Sequence, residues 1–299
     1  MHKILSLFLV IFLMSFSNLF AKTNSAVFLR INPSARISAM GGAGTAAFGD
    51  VSNIEVNPAA LLWVEDAQIY FSHNKWFQDI SMNYAAYAKP LGNARLWIVA
   101  VSAKQLSVDG LTERNEDGKK LGTFDASDTA YTLTATRKFS RSLAAGVTAK
   151  AITQEIYKES GSAYAGDAGV LWNINRFWNV GAAVRNVGND LRVYKKAFQL
   201  PMTYSVGAGF HSPSKYHLGL DIEKEINCDP IYRTGIEYFV GGNFDIRAGY
   251  MYTADDYASD GFTLGFGFSA FYQIFIDYAF VPFGDLGDTH RVSLKYVFD

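Results

Sequence analysis

Cysteine is nearly absent: Cys228 stands alone among 299 residues, so no internal disulfide can staple the fold and no thiol follows the leader to accept a lipid. An excess of charge is missing too. Lys and Arg number 27 against 28 Asp and Glu, a net charge of -1, which gives no basic field for nucleic acid and no acidic field for cationic partners. Beyond the leader, no stretch approaches the uninterrupted apolar length of a membrane-spanning helix. The five histidines, His2, His73, His211, His217 and His290, show no ligand spacing on one helix or turn, so neither metal nor cofactor is expected. Proline is scarce at 7, whereas Gly (26), Tyr (17) and Phe (23) are plentiful, a balance that suits many strands crossing a membrane.

The leader runs from His2 and Lys3 through an apolar stretch, Ile4 to Phe20, to Ala21 before polar Lys22, Thr23 and Asn24. It reads as a cleaved export signal over 1–21. The alternative, an uncleaved anchor helix, is weakened by Ser6, Ser15, Ser17 and Asn18, which dilute a run already short for spanning.

From 67 onward the chain breaks into segments of about ten residues with alternating apolar and polar side chains, separated by Gly, Pro, Asn, Asp and Ser clusters. In the last segment, His290, Val292, Leu294, Tyr296 and Phe298 share one face, and Arg291, Ser293 and Lys295 the other. Phe244, Ile246, Ala248, Tyr250 and Tyr252 oppose Asp245, Arg247 and Gly249 in the same way; Tyr272, Ile274, Ile276, Tyr278 and Phe280 oppose Gln273 and Asp277. One face suits lipid and the other water.

About fourteen strands are predicted, starting near Ala67, Asp79, Ala94, Asp128, Leu143, Ala163, Trp178, Pro201, Tyr216, Ile231, Phe244, Gly261, Gln273 and Thr289. Tight turns at 90–93, 140–142 and 240–243 alternate with longer loops at 105–127, 188–200 and 254–260. With both barrel ends in the periplasm, the long loops face outward. Trp76, Phe77, Trp97, Trp172, Phe177, Trp178, Tyr250 and Tyr252 fall near strand ends, at headgroup level. The expected fold class is therefore all-β: a transmembrane antiparallel barrel over 67–299, in the cell outer membrane. A secreted soluble β-sandwich would rarely carry aromatics on one face of nearly every strand.

The stretch before the first strand is unlike the rest. Its small residues let backbone pack closely, so 22–66 is expected to fold into the barrel mouth as a hatch; the competing reading is a periplasmic tail. Gly42-Ala43-Gly44-Thr45-Ala46-Ala47 has dinucleotide-loop spacing but lacks a preceding strand and a following βαβ unit. His290 with Asp288 or Asp285 resembles a catalytic pair only superficially, since Gly-rich loops commonly carry carboxylates that solvate a turn. Lumen-facing Glu237, Arg247, Asp277 and Arg291 are expected to pair across neighbouring strands.

Pro33-Ser34-Ala35-Arg36, Met40-Gly41-Gly42-Ala43-Gly44, Asp50 and Asn57-Pro58-Ala59 resemble the N-terminal signature of PorV/PorQ-type outer-membrane proteins. Gly166-Asp167-Ala168-Gly169, Arg185-Asn186-Val187-Gly188, Gly235-Ile236-Glu237-Tyr238 and Arg247-Ala248-Gly249-Tyr250 continue the resemblance in order. That family is similar in fold to the FadL group of transporters, with fourteen strands and a hatch carrying an Asn-Pro-Ala element. The resemblance implies that Arg36, Gly41, Gly42, Asp50, Asn57 and Pro58 belong to the hatch. It also implies a non-enzymatic barrel serving protein secretion or surface assembly of type IX kind, with cargo proteins or secretion components as partners besides outer-membrane lipid and a docking surface on the 106–127 loop. The alternative is a FadL-like channel for hydrophobic small molecules. An apolar pocket in the lumen would favour the channel; inward charges lean towards secretion.

Overall fold

The structure, a computed structural model, describes residues 26–47, 49–76, 80–92, 94–157, 159–193, 196–212, 215–226, 228–241, 243–253, 261–283 and 287–298. The expected export signal, Phe77, Asp79, Asn93, Gly242, the 254–260 loop and Asp285 lie outside the described residues.

Strands with one apolar and one polar face are stable in lipid only when their sheet closes, because an open edge leaves backbone donors and acceptors unpaired in hydrocarbon. The chain meets this condition with a 14-strand antiparallel barrel. Its first half comprises β1 (Gln68–Lys75), β2 (Ile80–Leu91), β3 (Trp97–Arg114), β4 (Lys120–Lys138), β5 (Leu143–Ile156), β6 (Glu159–Asn173) and β7 (Trp178–Gly188). A short hairpin, β8 (Leu191–Val193) with β9 (Lys196–Phe198), leans on β6 through Gly161 and Val193. The barrel resumes with β10 (Thr203–Ser212), β11 (Tyr216–Glu225), β12 (Ile231–Gly241), β13 (Phe244–Thr253), β14 (Gly261–Ala270), β15 (Ile274–Pro282) and β16 (Asp288–Val297). Each barrel strand pairs with the next, and β16 returns to β1, setting Leu294 opposite Phe71.

The faces alternate as the sequence pattern requires. In β16, His290, Val292 and Leu294 are exposed on the outside, while Thr289, Arg291 and Ser293 are buried inside. Trp97 and Trp178 begin β3 and β7, both exposed on the outer surface at the short-turn end.

Two predicted loops are corrected. Residues 105–127 are mostly ladder: β3 continues to Arg114 and β4 starts at Lys120 rather than near Asp128, with Leu111 opposite Phe124. Thr, Val and Leu in this stretch keep β geometry beyond the rim, so it forms a projecting hairpin instead of a loop. Residues 188–200 contain the β8–β9 hairpin, and β6 starts at Glu159 rather than near Ala163.

The described residues of 26–64 are mostly buried, with Val27 and Trp63 exposed. They form η1 (Val27–Arg30), helix α1 (Ala35–Ala39), η2 (Val51–Glu55) and η3 (Pro58–Trp63), where η denotes a 3-10 turn. Side-chain caps start three of these: Ser34 accepts from the Ile37 amide, Asp50 from Ser52 and Asn57 from Ala59, with Pro58 set at the first position of η3. This segment touches inward-facing residues of the barrel all the way round, including Gln68, Tyr84, Lys104, Thr136, Gly146, Gly169, Gly181, Gly207, Asp221, Glu237, Gly249, Thr263, Ala279 and Arg291, and so fills the lumen.

Candidate functional site

The lumen has two kinds of wall. On β5 to β7 and β10 to β14, inward positions are repeatedly glycine, and the segment lies directly on strand backbone. A Cβ at Gly146 would overlap the Pro58 carbonyl, at Gly181 the Thr45 carbonyl, at Gly235 Met40 and at Gly249 the Gly41 amide; at Gly219 it would stand 3.1 Å from Ala43. Gly219, Gly235 and Gly249 are direct partners across β11, β12 and β13, so these bare positions form a continuous belt. Gly41 matches them from the other side: its φ of +67° is left-handed, and its own missing Cβ would lie 2.7 Å from the Thr234 carbonyl. Its amide donates to Thr263 Oγ1 at 2.9 Å, and Thr263 donates onward to the Ala39 carbonyl at 2.9 Å.

On β1 to β4 the wall is made of side chains. Val51, Ile54, Leu61 and Val64 pack against Tyr70, Tyr84, Ile98 and Ala100 as an ordinary apolar core. The buried Lys104 ammonium meets Glu55 at 2.8 Å and donates to the Ile31 carbonyl at 3.1 Å. Thr136 donates to the Pro58 carbonyl at 2.6 Å. Burial alone would raise the Glu55 carboxyl; the Lys104 and Lys150 charges and the Lys104 hydrogen bond outweigh it and hold the group down at about 2.

Charged anchors join the walls. Arg36 grips Glu237 with both oxygens, Nε to Oε1 at 2.9 Å and Nη2 to Oε2 at 2.6 Å. Glu237 also accepts from Arg247 at 2.7 Å, and Arg247 reaches Asp277 at 2.6 Å. Asp50 pairs with Lys295 at 3.1 Å; burial pushes its carboxyl up, and Lys295 with the Ser52 amide brings it below its usual value. Asn57 donates to the Thr45 carbonyl at 2.8 Å and the Val170 carbonyl at 3.1 Å, while Asp221 accepts from the Gly44 and Thr45 amides.

The predicted lumen charges thus divide. Glu237, Arg247 and Asp277 come together with Arg36, whereas Arg291 turns to the segment, donating to the Asn32 carbonyl at 3.0 Å and to Ser38. Of the predicted segment residues, Arg36, Asp50 and Asn57 bond to side chain or backbone across the lumen, and Gly41, Gly42 and Pro58 sit against the wall. Sequence reasoning missed the belt, Lys104 with Glu55, and Lys150 with Asp167 at 2.8 Å. It also missed that His211 and His217, cross-strand partners on β10 and β11, touch, with His217 bonded onward to Glu237. The signal was available for the strand residues: inward parity, counted strand by strand, marks each of them, whereas Glu55 lies in η2 and carries no such mark. Among the described residues no three His, Cys, Asp or Glu side chains gather to hold a metal.

At the long-loop end the lining changes character. Phe28 and Leu29 of η1 are buried against Ala130, Ile152, Ala163, Leu191 and Leu200, with Leu106 and Val193 at the edge. These side chains pack together as an apolar cluster.

A closed antiparallel barrel with an apolar exterior defines an outer-membrane β-barrel, and its fold is similar to that of solved FadL-like channels. The Pseudomonas putida toluene transporter TodX superposes with a TM-score of 0.69 at 12% identity, covering 88% of this chain and 97% of that one. The monoaromatic hydrocarbon channel CymD gives 0.66 at 12% identity over 92% and 99% of the two chains. A Pseudomonas aeruginosa FadL homologue gives 0.59 at 13% identity over 94% and 99%. No protein-family model and no curated protein sequence matches.

Proposed function

We propose that the protein passes small apolar molecules across the outer membrane, with 22–66 as its hatch. The observation that carries this reading is the apolar cluster around Phe28 and Leu29, at the end of the lumen that a solute arriving from the long-loop side would meet first. Inward charges that would repel such a solute are consumed in holding the segment. The named neighbours, a toluene transporter and a monoaromatic hydrocarbon channel, supply the solute class. A secretion role of PorV type is supported by the N-terminal motif, yet Gly41, Asp50, Asn57 and Pro58 of that motif are buried against the wall, where a protein cargo has no access.

In this reading the Phe28 ring occupies the solute's place. Uptake of labelled toluene by cells making the protein should exceed that of cells lacking it, and Phe28→Ala should raise it several-fold by opening a cavity in this cluster. Equal uptake with and without the protein sinks the proposal.

A further inference from the structure

Among the described residues, the short turns of the barrel carry exposed cations on one arc only, Lys295 near the same end being turned inward to Asp50. At the end of β4, Arg137 lies over the Trp97 ring at 5.4 Å and the Phe139 ring at 5.1 Å, with Arg141 exposed in the β4–β5 turn beside it. The Lys138 amide donates to the Leu96 carbonyl at 2.8 Å, which ties this turn to the β2–β3 turn. Next along the rim, Arg176 lies 4.5 Å over Phe177, and exposed Lys215 precedes Tyr216, which stacks on Phe210. Two of the acids at this end are engaged elsewhere: Asp66 meets Arg95 at 3.3 Å, and Asp245 bonds inward to Arg247 at 3.4 Å. Arg137, Arg141, Arg176 and Lys215 therefore have no carboxylate partner among the described residues.

The remaining short turns lack this feature. Phe244 follows the β12–β13 turn, and Phe271 and Tyr272 form the β14–β15 turn, the latter two among the most exposed rings of the molecule, and none of the described residues in these turns is a cation. Rings alone are what any membrane interface selects. Rings with unpaired guanidinium or ammonium groups, held at the depth where lipid phosphates lie, select negative charge as well. The short-turn end of an outer-membrane barrel faces the periplasm. We infer that the arc from the β2–β3 turn to the β10–β11 turn binds the phosphate headgroups of anionic glycerophospholipids in the periplasmic leaflet. The inference rests on the barrel's orientation and is independent of what the lumen conducts.

The test uses the full-length protein reconstituted in vesicles of phosphatidylethanolamine with a minor fraction of phosphatidylglycerol, released with its bound lipid and read by mass spectrometry. Phosphatidylglycerol should be enriched roughly three- to tenfold over its bulk fraction, less so at high salt. The combined variant Arg137→Gln, Arg141→Gln, Arg176→Gln, Lys215→Gln should bring it back to bulk, while Lys119→Gln with Lys120→Gln at the opposite end should leave it unchanged. Should the combined variant fail to insert, Arg141→Gln and Lys215→Gln singly, both at turn tips, should each remove part of the enrichment. Overturning results are no enrichment in the wild type, enrichment that survives neutralisation, an equal loss in the Lys119/Lys120 control, or capture of a soluble acidic protein by the arc in place of lipid.

Discussion

The two walls of the lumen hold the same segment by opposite means. The belt on β5 to β7 and β10 to β14 removes side chains so that backbone meets backbone, whereas β1 to β4 fill the gap with Tyr70, Tyr84, Lys104 and threonines. A wall built by subtraction tolerates no addition, and a wall built by filling tolerates no removal. The difference follows from where the segment runs. Residues 39–47 and 57–59 lie on the belt, while η2 and the end of η3 stand off their wall by a side-chain layer.

The largest effect expected from this contrast is at Lys104. Lys104→Met leaves the buried Glu55 without its cationic partner and should cost about 3–5 kcal/mol of unfolding free energy measured in lipid vesicles. Adding Glu55→Gln should recover much of the loss; no recovery would mean that Lys104 acts through packing alone.

Acid should produce the next effect. Glu55 is held at about 2 against an ordinary 4.5, so its contribution is complete above pH 4.5 and disappears as pH falls towards 2. Stability on the order of 3 kcal/mol should be lost across that window and not in Glu55→Gln. Protease cleavage within 50–64, followed against pH, reports it. An identical acid profile in the variant would assign the loss to other carboxylates.

The smallest effects grade the belt itself. Gly249→Ala, whose Cβ meets the Gly41 backbone, should cost about 1–3 kcal/mol, and Gly219→Ala, with 3.1 Å available, under about 1. Equal costs at both positions would show that the glycines serve strand geometry and not the close approach.

The strand count and the face of each residue were legible because a period of two is written in every segment, as Leu294 outside and Ser293 inside illustrate. The projecting β3–β4 hairpin was not, since polar Asp109, Glu113 and Asp125 mimic loop composition, although Glu113 pairs with Gly122 and Asp109 and Asp125 sit in a bulge of the same ladder. The Arg36 to Glu237 pair joins residues 201 positions apart, a separation that no local pattern encodes. Arg291 and Arg247 carry the same inward parity, and only the path of the segment decides that one meets carbonyls and the other carboxylates.

Glycine is a poor strand former, with no side chain to pack and the most backbone freedom to lose. Strands such as Gly261–Ala270, with Gly265 and Gly267 bare on the inside, need their cohesion from the other face. There Phe244 stacks on Phe266 at 6.0 Å, Phe266 on Tyr278 at 5.2 Å, and Tyr250 leans on Phe262 at 4.7 Å, rings laid over the strands that have least within. The surplus of phenylalanine and tyrosine is thus the outward counterpart of the hollowed inner wall, and lipid-facing aromatics in this half of the barrel govern whether the lumen keeps its shape.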